Sequence, residues 1–120
     1  MNTNEIPIFK KSFELYKLFY ALRVKIPKPD RFTIWQKCEN SIIGLFVHLL
    51  AAGNLAKDAK LPSLEAMSAE LNLLRIFLRL AKEVKTINNA QYVELEKNID
   101  EIGRMLGGWI KSTKDYPAKQ

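Results

Sequence analysis

Residues 64–81 read LEAMSAELNLLRIFLRLA, with apolar members at Leu64, Met67, Leu71, Leu74, Leu78 and Ala81, separated by alternating steps of three and four. That spacing scatters the six over both faces of a strand but gathers them on one stripe of a helix, so it predicts a helix with a single long core seam. The same alternation occurs upstream in Trp35, Cys38, Ile42, Leu45, Leu49, Ala52 and Ala56. It occurs again downstream in Tyr92, Leu95, Ile99, Ile102, Leu106 and Trp109. The N-terminal segment is broader, with Leu15, Phe19, Leu22 and Ile26 on one stripe and Phe9, Phe13, Tyr16 and Tyr20 on its neighbour. Four amphipathic rods with seams to share predict an all-α fold, an antiparallel up-down four-helix bundle.

Punctuation sets the bounds of the rods. Pro7 suits a first helical turn, and Pro27-Lys28-Pro29 stops the first helix after Ile26. Asp30 is the expected cap of a second helix whose last turns Gly53 and Asn54 weaken. A third starts near Pro62 or Ser63, and Asn88-Asn89 caps a fourth that ends near Lys111. The expected helices cover about 7–26, 31–57, 63–85 and 90–111 of one domain spanning 1–120, followed by a short disordered C-terminal tail. No stretch alternates like a strand between turn signals.

The chain of 120 residues is 48% apolar and 27% charged, with only five Gly and five Pro. That composition excludes disordered, collagenous and disulfide-stapled classes. Cys38 is the one cysteine and cannot form an internal bridge; with no secretory leader pattern, the chain reads as cytoplasmic and reduced. The low-charge run 42–56 is shorter than the roughly 20 apolar residues of a membrane span, so no membrane partner is expected. Nineteen Lys and Arg against 13 Asp and Glu leave a net charge of +6, which favours polyanionic partners.

The search for chemistry returns little. A metal bundle needs Glu-x-x-His pairs facing inward, and the single His48 follows Leu45 and Gly44 by one turn, which reads as a core or edge histidine. Cys38 sits on a core seam with no histidine nearby, as a small apolar filler does. Glu94, Glu96, Asp100 and Glu101 read as a solvated acidic face complementing a helix N-terminus. Gly103, Gly107 and Gly108 are spaced GxxxGG without the Lys-Ser/Thr ending of a phosphate loop. Glycines in a helix interior point to another backbone or an aromatic ring lying close. The expectation is a protein that is not an enzyme, with no catalytic residue, no cofactor, no metal and no small-molecule substrate.

Positive charge is uneven: residues 1–29 carry six Lys or Arg against two Glu, whereas 87–120 carry five of each sign. Lys10 and Lys17 recur at the rims of the first helix, and Arg75, Arg79 and Lys82 form a ridge beside the third seam. Such a ridge fits phosphates; the plainer alternative is a solvated face whose arginines pair with Glu83 or with acids on the neighbouring helix. Apolar width exceeds the need of one bundle, because Ile43, Phe46, Val47 and Leu50 flank the second seam and Ile76, Phe77, Leu80 and Val84 the third. Together with the aromatic stripe of the first helix this predicts a homo-oligomer, the alternative being a wide single-chain core.

Three sequence words resemble a known family: Leu74-Arg-Ile-Phe-Leu-Arg-Leu-Ala81, Gln91-Tyr92, and Glu101-Ile-Gly-Arg-Met-Leu-Gly-Gly-Trp-Ile110. They are similar to the Avd family, the accessory variability determinants of diversity-generating retroelements, grouped with the four-helix-bundle proteins encoded in ribosomal-RNA intervening sequences. The likeness runs from about Phe9 to Lys111. It implies a homopentameric barrel with a basic surface and central channel. The resemblance further implies that this barrel binds a reverse transcriptase together with RNA or DNA, the template RNA or its complementary DNA, in mutagenic retrohoming. Arg75 and Arg79 match arginines of the family's third-helix word, and Arg104 and Lys111 match basic positions of its last helix. With Lys82, Lys10 and Lys17 they are the candidate nucleic-acid or polymerase contacts. Phe9, Phe13, Tyr16, Tyr20, Gly107 and Gly108 are the candidate subunit contacts. The alternative is an interaction bundle of the intervening-sequence type with no reverse transcriptase partner.

Overall fold

Proline at position 7 lacks an amide hydrogen that a first helical turn leaves unbonded in any case. The computed structural model, which describes residues 6–115, accordingly starts its first helix there: α1 spans Ile6–Leu22. It ends four residues earlier than the spacing suggested. Two short 3-10 turns, Arg23–Lys25 and Lys28–Asp30, carry the chain round instead. Ile26 still reaches the core but does so from extended backbone (φ −79°, ψ 131°), the conformation that the following Pro27 favours.

The second helix, α2, spans Ile34–Asn54, and its cap position is held by Thr33 rather than the expected Asp30. The Asp30 carboxylate instead accepts the Thr86 hydroxyl at 3.0 Å, fastening the α1–α2 connection to the loop before the last helix. α2 stops at Asn54, with Leu55 extended (φ −95°, ψ 153°), so Ala56 lies beyond the helix and is exposed rather than on the core seam. Lys60 is buried just past the Lys57–Ala59 turn; its ammonium donates to the Ala52 carbonyl and lies 5.8 Å from the Trp109 ring centre. The Ala52 carbonyl also accepts the Leu55 amide at 3.3 Å, and a cation at a helix C-terminus complements the last carbonyls and the helix dipole.

The third helix, α3, spans Leu61–Glu83 with Pro62 in its first turn. It ends because Lys85 takes a left-handed conformation (φ 66°), which lets the amides of Thr86 and Ile87 turn back to the Ala81 carbonyl at 2.8 and 3.4 Å. The fourth, α4, spans Asn89–Lys114 behind a reciprocal cap: Asn88 Oδ1 accepts from the Gln91 amide and Gln91 Oε1 from the Asn88 amide. Asn88→Ala should cost about 1 kcal/mol. For a domain of this size that is a fall of roughly 4 °C in thermal midpoint, readable by circular dichroism. The expected C-terminal tail lies outside the described residues.

All four elements are helices, with no strand among the described residues. α2 packs most extensively on α3, α3 on α4, and α1 mainly on α4, with a sparser α1–α2 contact. The seams meet in the centre: Leu15, Leu45, Leu49, Leu64, Met67, Leu74, Leu78, Leu95, Ile99 and Ile102 are fully buried. Across the α1–α2 junction Phe19 and Trp35 stack with ring centres 4.1 Å apart. The off-seam residues do not widen this core throughout. Phe9, Tyr16, Phe46 and Phe77 rest partly against it, whereas Phe13, Tyr20, Ile43, Val47, Leu50, Ile76, Leu80 and Val84 stay exposed.

Candidate nucleic-acid interface

Steps of four and three place Arg75, Arg79 and Lys82 on one side of α3, and α4 answers with Glu96 and Asp100 one turn apart. Where the two helices pack, Arg75 Nη1 lies 2.6 Å from Asp100 Oδ1 and 3.7 Å from Glu96 Oε2. Arg75, expected to be free for phosphate, is therefore held by acids of the neighbouring helix. Gly103 makes room for it: a Cβ there would come 2.9 Å from Arg75 Nη2. A guanidinium thus occupies the place where another backbone or a ring was expected. At Gly107 and Gly108 an added Cβ would meet nothing within 4 Å, so within the subunit they form open surface.

The same face holds a half-buried carboxylate. Burial pushes the Glu96 carboxyl above its usual range; Arg75 and Lys82 pull it down, and Asp100 pushes it up. Lys82 sits with its ammonium 4.5 Å from the Tyr92 ring centre. Arg79, between these two cations in sequence, is exposed and makes no ion pair among the described residues.

The remaining expected contacts are spread out. Arg104 pairs with Glu101 on its own helix, an exposed pair of little energetic weight. Lys111 near the end of α4 and Lys10 near the start of α1 belong to the end of the bundle where the α2–α3 connection lies, with Lys17 midway along α1. Lys10 and Lys17 flank Phe13, so cations border the exposed aromatic stripe. A single subunit brings Arg75, Arg79 and Lys82 together and does not gather all seven on one face. Among the described residues no three His, Cys, Asp or Glu side chains group to hold a metal ion. Burial lifts the Cys38 thiol to about 12, which keeps it protonated.

Folding exposes one basic cluster that the helix spacing did not reveal. Residues 23–31, RVKIPKPDR, carry four cations against one acid, and that acid, Asp30, is already bonded to Thr86. The antiparallel course puts this connection at the same end of the bundle as Arg79, Lys82 and Lys85. Phe32 follows it, 83% exposed. The signal was present in the sequence as a charge run interrupted by prolines, which reads first as a helix stop.

No curated protein matches the chain. A family described as bAvd-like matches residues 7–113, a span that takes in all of α2 and α3 and nearly all of α1 and α4. The buried seams and the helix-four cap lie inside that span, and the chain belongs to the bAvd-like family, accessory proteins of the diversity-generating-retroelement type.

Proposed function

We propose that the protein is a non-catalytic, homopentameric accessory of a diversity-generating retroelement, binding the reverse transcriptase and the template RNA or its complementary DNA in mutagenic retrohoming. The family match over residues 7–113 carries this reading. Charge supports it, since a net +6 with Arg79, Lys10, Lys17 and Lys111 exposed draws a polyanion and releases its counterions. The uncovered apolar stripe of Phe13 and Tyr20, bordered by Phe9 and Tyr16, supports assembly, with Gly107 and Gly108 offering a surface for close approach. Assembly repeats every exposed cation around the axis and strengthens the field of each.

Two substitutions one turn apart test the nucleic-acid part. Arg79→Gln should keep the thermal midpoint, weaken binding of a labelled RNA, and lower the slope of log affinity against log salt by about one. Arg75→Gln should leave that slope unchanged yet cost about 1 kcal/mol, because Glu96 loses its neutralising partner. An unaltered salt slope in Arg79→Gln would remove Arg79 from the interface. The polymerase part is tested by size-exclusion chromatography of the two proteins mixed at micromolar concentration. Co-elution supports the reading; separate elution, with no RNA binding, favours an interaction bundle without a polymerase partner.

A further inference from the structure

Between the C-terminal end of α1 and the start of α2 lies a recess of about 170 Å³, lined by Tyr20, Arg23, Arg31, Phe32, Trp35 and Gln36 among others. Four observations about it converge. Trp35 is only 3% exposed, yet its indole N–H has no hydrogen-bond partner among the described residues. A buried donor left without an acceptor costs free energy, and this one is itself closed off from solvent, so an occupant carrying an acceptor reaches it as the rings beside it part. Phe32 extends its ring into solvent beside the recess, and Tyr20 is covered by the Arg23 guanidinium at 5.1 Å. Arg31 is pinned through Nε to the Ile26 carbonyl at 3.0 Å, which leaves the far end of its guanidinium unengaged among the described residues.

The charges also fix an orientation. Glu39 lines the recess and accepts from Tyr16 at 2.9 Å and from Gln36 at 3.4 Å, so the interior repels an anion. The two arginines attract one to the rim. A ligand that satisfies both is a flat, uncharged ring bearing acceptor atoms, with a phosphate attached outside it. We propose that this recess binds a single unpaired nucleotide, its base inserted among the aromatic rings to accept from Trp35 Nε1–H and its phosphate on Arg23 and Arg31. Stacking tolerates any base, because every base has a π face, and bidentate guanidinium contacts suit phosphate. The nucleotide can come free or as one unit of a single strand; only the second source rests on the nucleic-acid function proposed above. Duplex is excluded, because its bases are already stacked and paired.

The test uses intrinsic fluorescence. The chain has two tryptophans, so Trp109→Phe leaves Trp35 as the only reporter. Uridine and adenosine 5′-monophosphate, ribose 5-phosphate, a ten-nucleotide single strand and the matching duplex are titrated in turn. The nucleotides or the single strand should quench Trp35, whereas ribose 5-phosphate and duplex should not. Arg23→Gln, at an exposed position, should weaken the effect about tenfold. Calorimetry on the unsubstituted protein and on Trp35→Phe gives the same comparison should Trp109→Phe fold poorly.

The outcomes separate the two readings. Quenching by mononucleotides without strand binding upholds the recess and counts against the nucleic-acid function. Strand binding that leaves Trp35 silent and is indifferent to Arg23→Gln overturns the recess and leaves that function standing. Absence of any binding overturns both.

Discussion

Replacing Phe13 with glutamate should reduce the native mass of the proposed oligomer to that of one 13.8 kDa subunit while its helical circular dichroism stays the same. The ring is 53% exposed, so folding does not depend on it. It contacts Phe9 edge-on at 5.7 Å and Phe46 at 5.4 Å, and with Tyr16, Lys17, Ile43 and Phe46 it lines a groove of about 430 Å³ at the sparse α1–α2 junction. Apolar area of this kind favours association by about 25 cal/mol per Å² removed from water. A carboxylate put in its place must be taken out of water at the contact, a cost of several kcal/mol that the flanking Lys10 and Lys17 offset only in part, so assembly should weaken about a hundredfold. Light scattering or native mass spectrometry reads the result, and an unchanged mass would take the α1 stripe out of the subunit contact. Because the proposed assembly is what gathers the cations, the same variant should also weaken the proposed RNA binding.

Leu74→Ala should have the largest effect on folding, about 3 kcal/mol, or roughly 12 °C in thermal midpoint. Leu74 is fully buried on the third seam, packed in the core shared by all four helices, and alanine would leave a cavity that rigid neighbouring helices close only in part. Its sequence neighbour supplies the control. Leu73 is 40% exposed, and Leu73→Ala should cost well under 1 kcal/mol in urea denaturation. Equal losses at the two positions would mean that the seam does not face the core as described. Against a total stability of about 5–15 kcal/mol, the Leu74 loss is a large share.

Residue spacing made most of the fold legible before any coordinate. The third seam is buried at each of its six positions, and the second and fourth fail only at Ala56, exposed beyond the helix, and at Tyr92, half-buried. A helix turns through a fixed angle per residue, so a stripe is already implied by position along the chain. The Asn88 cap was legible for the same reason, since its partner Gln91 is three residues away. Asp30 was not, because its partner Thr86 is 56 residues distant and only the closing of the bundle brings the two together.

The candidate interface divides along the same line. Which residues are cationic, and that Arg75, Arg79 and Lys82 share a side of one helix, follows from sequence. Whether a given cation is free does not. Arg75 is neutralised by Glu96 and Asp100 across a helix pair, in a space that Gly103 opens, while Arg79, four residues on, meets no acid among the described residues. Likewise RVKIPKPDR states its own charge, but its nearness to Arg79, Lys82 and Lys85 depends on the antiparallel course of the helices. Periodicity acts within a segment, through covalent geometry that each residue carries with it. Ion pairing and burial act between segments, over a few ångströms of space that is set only when the four helices pack.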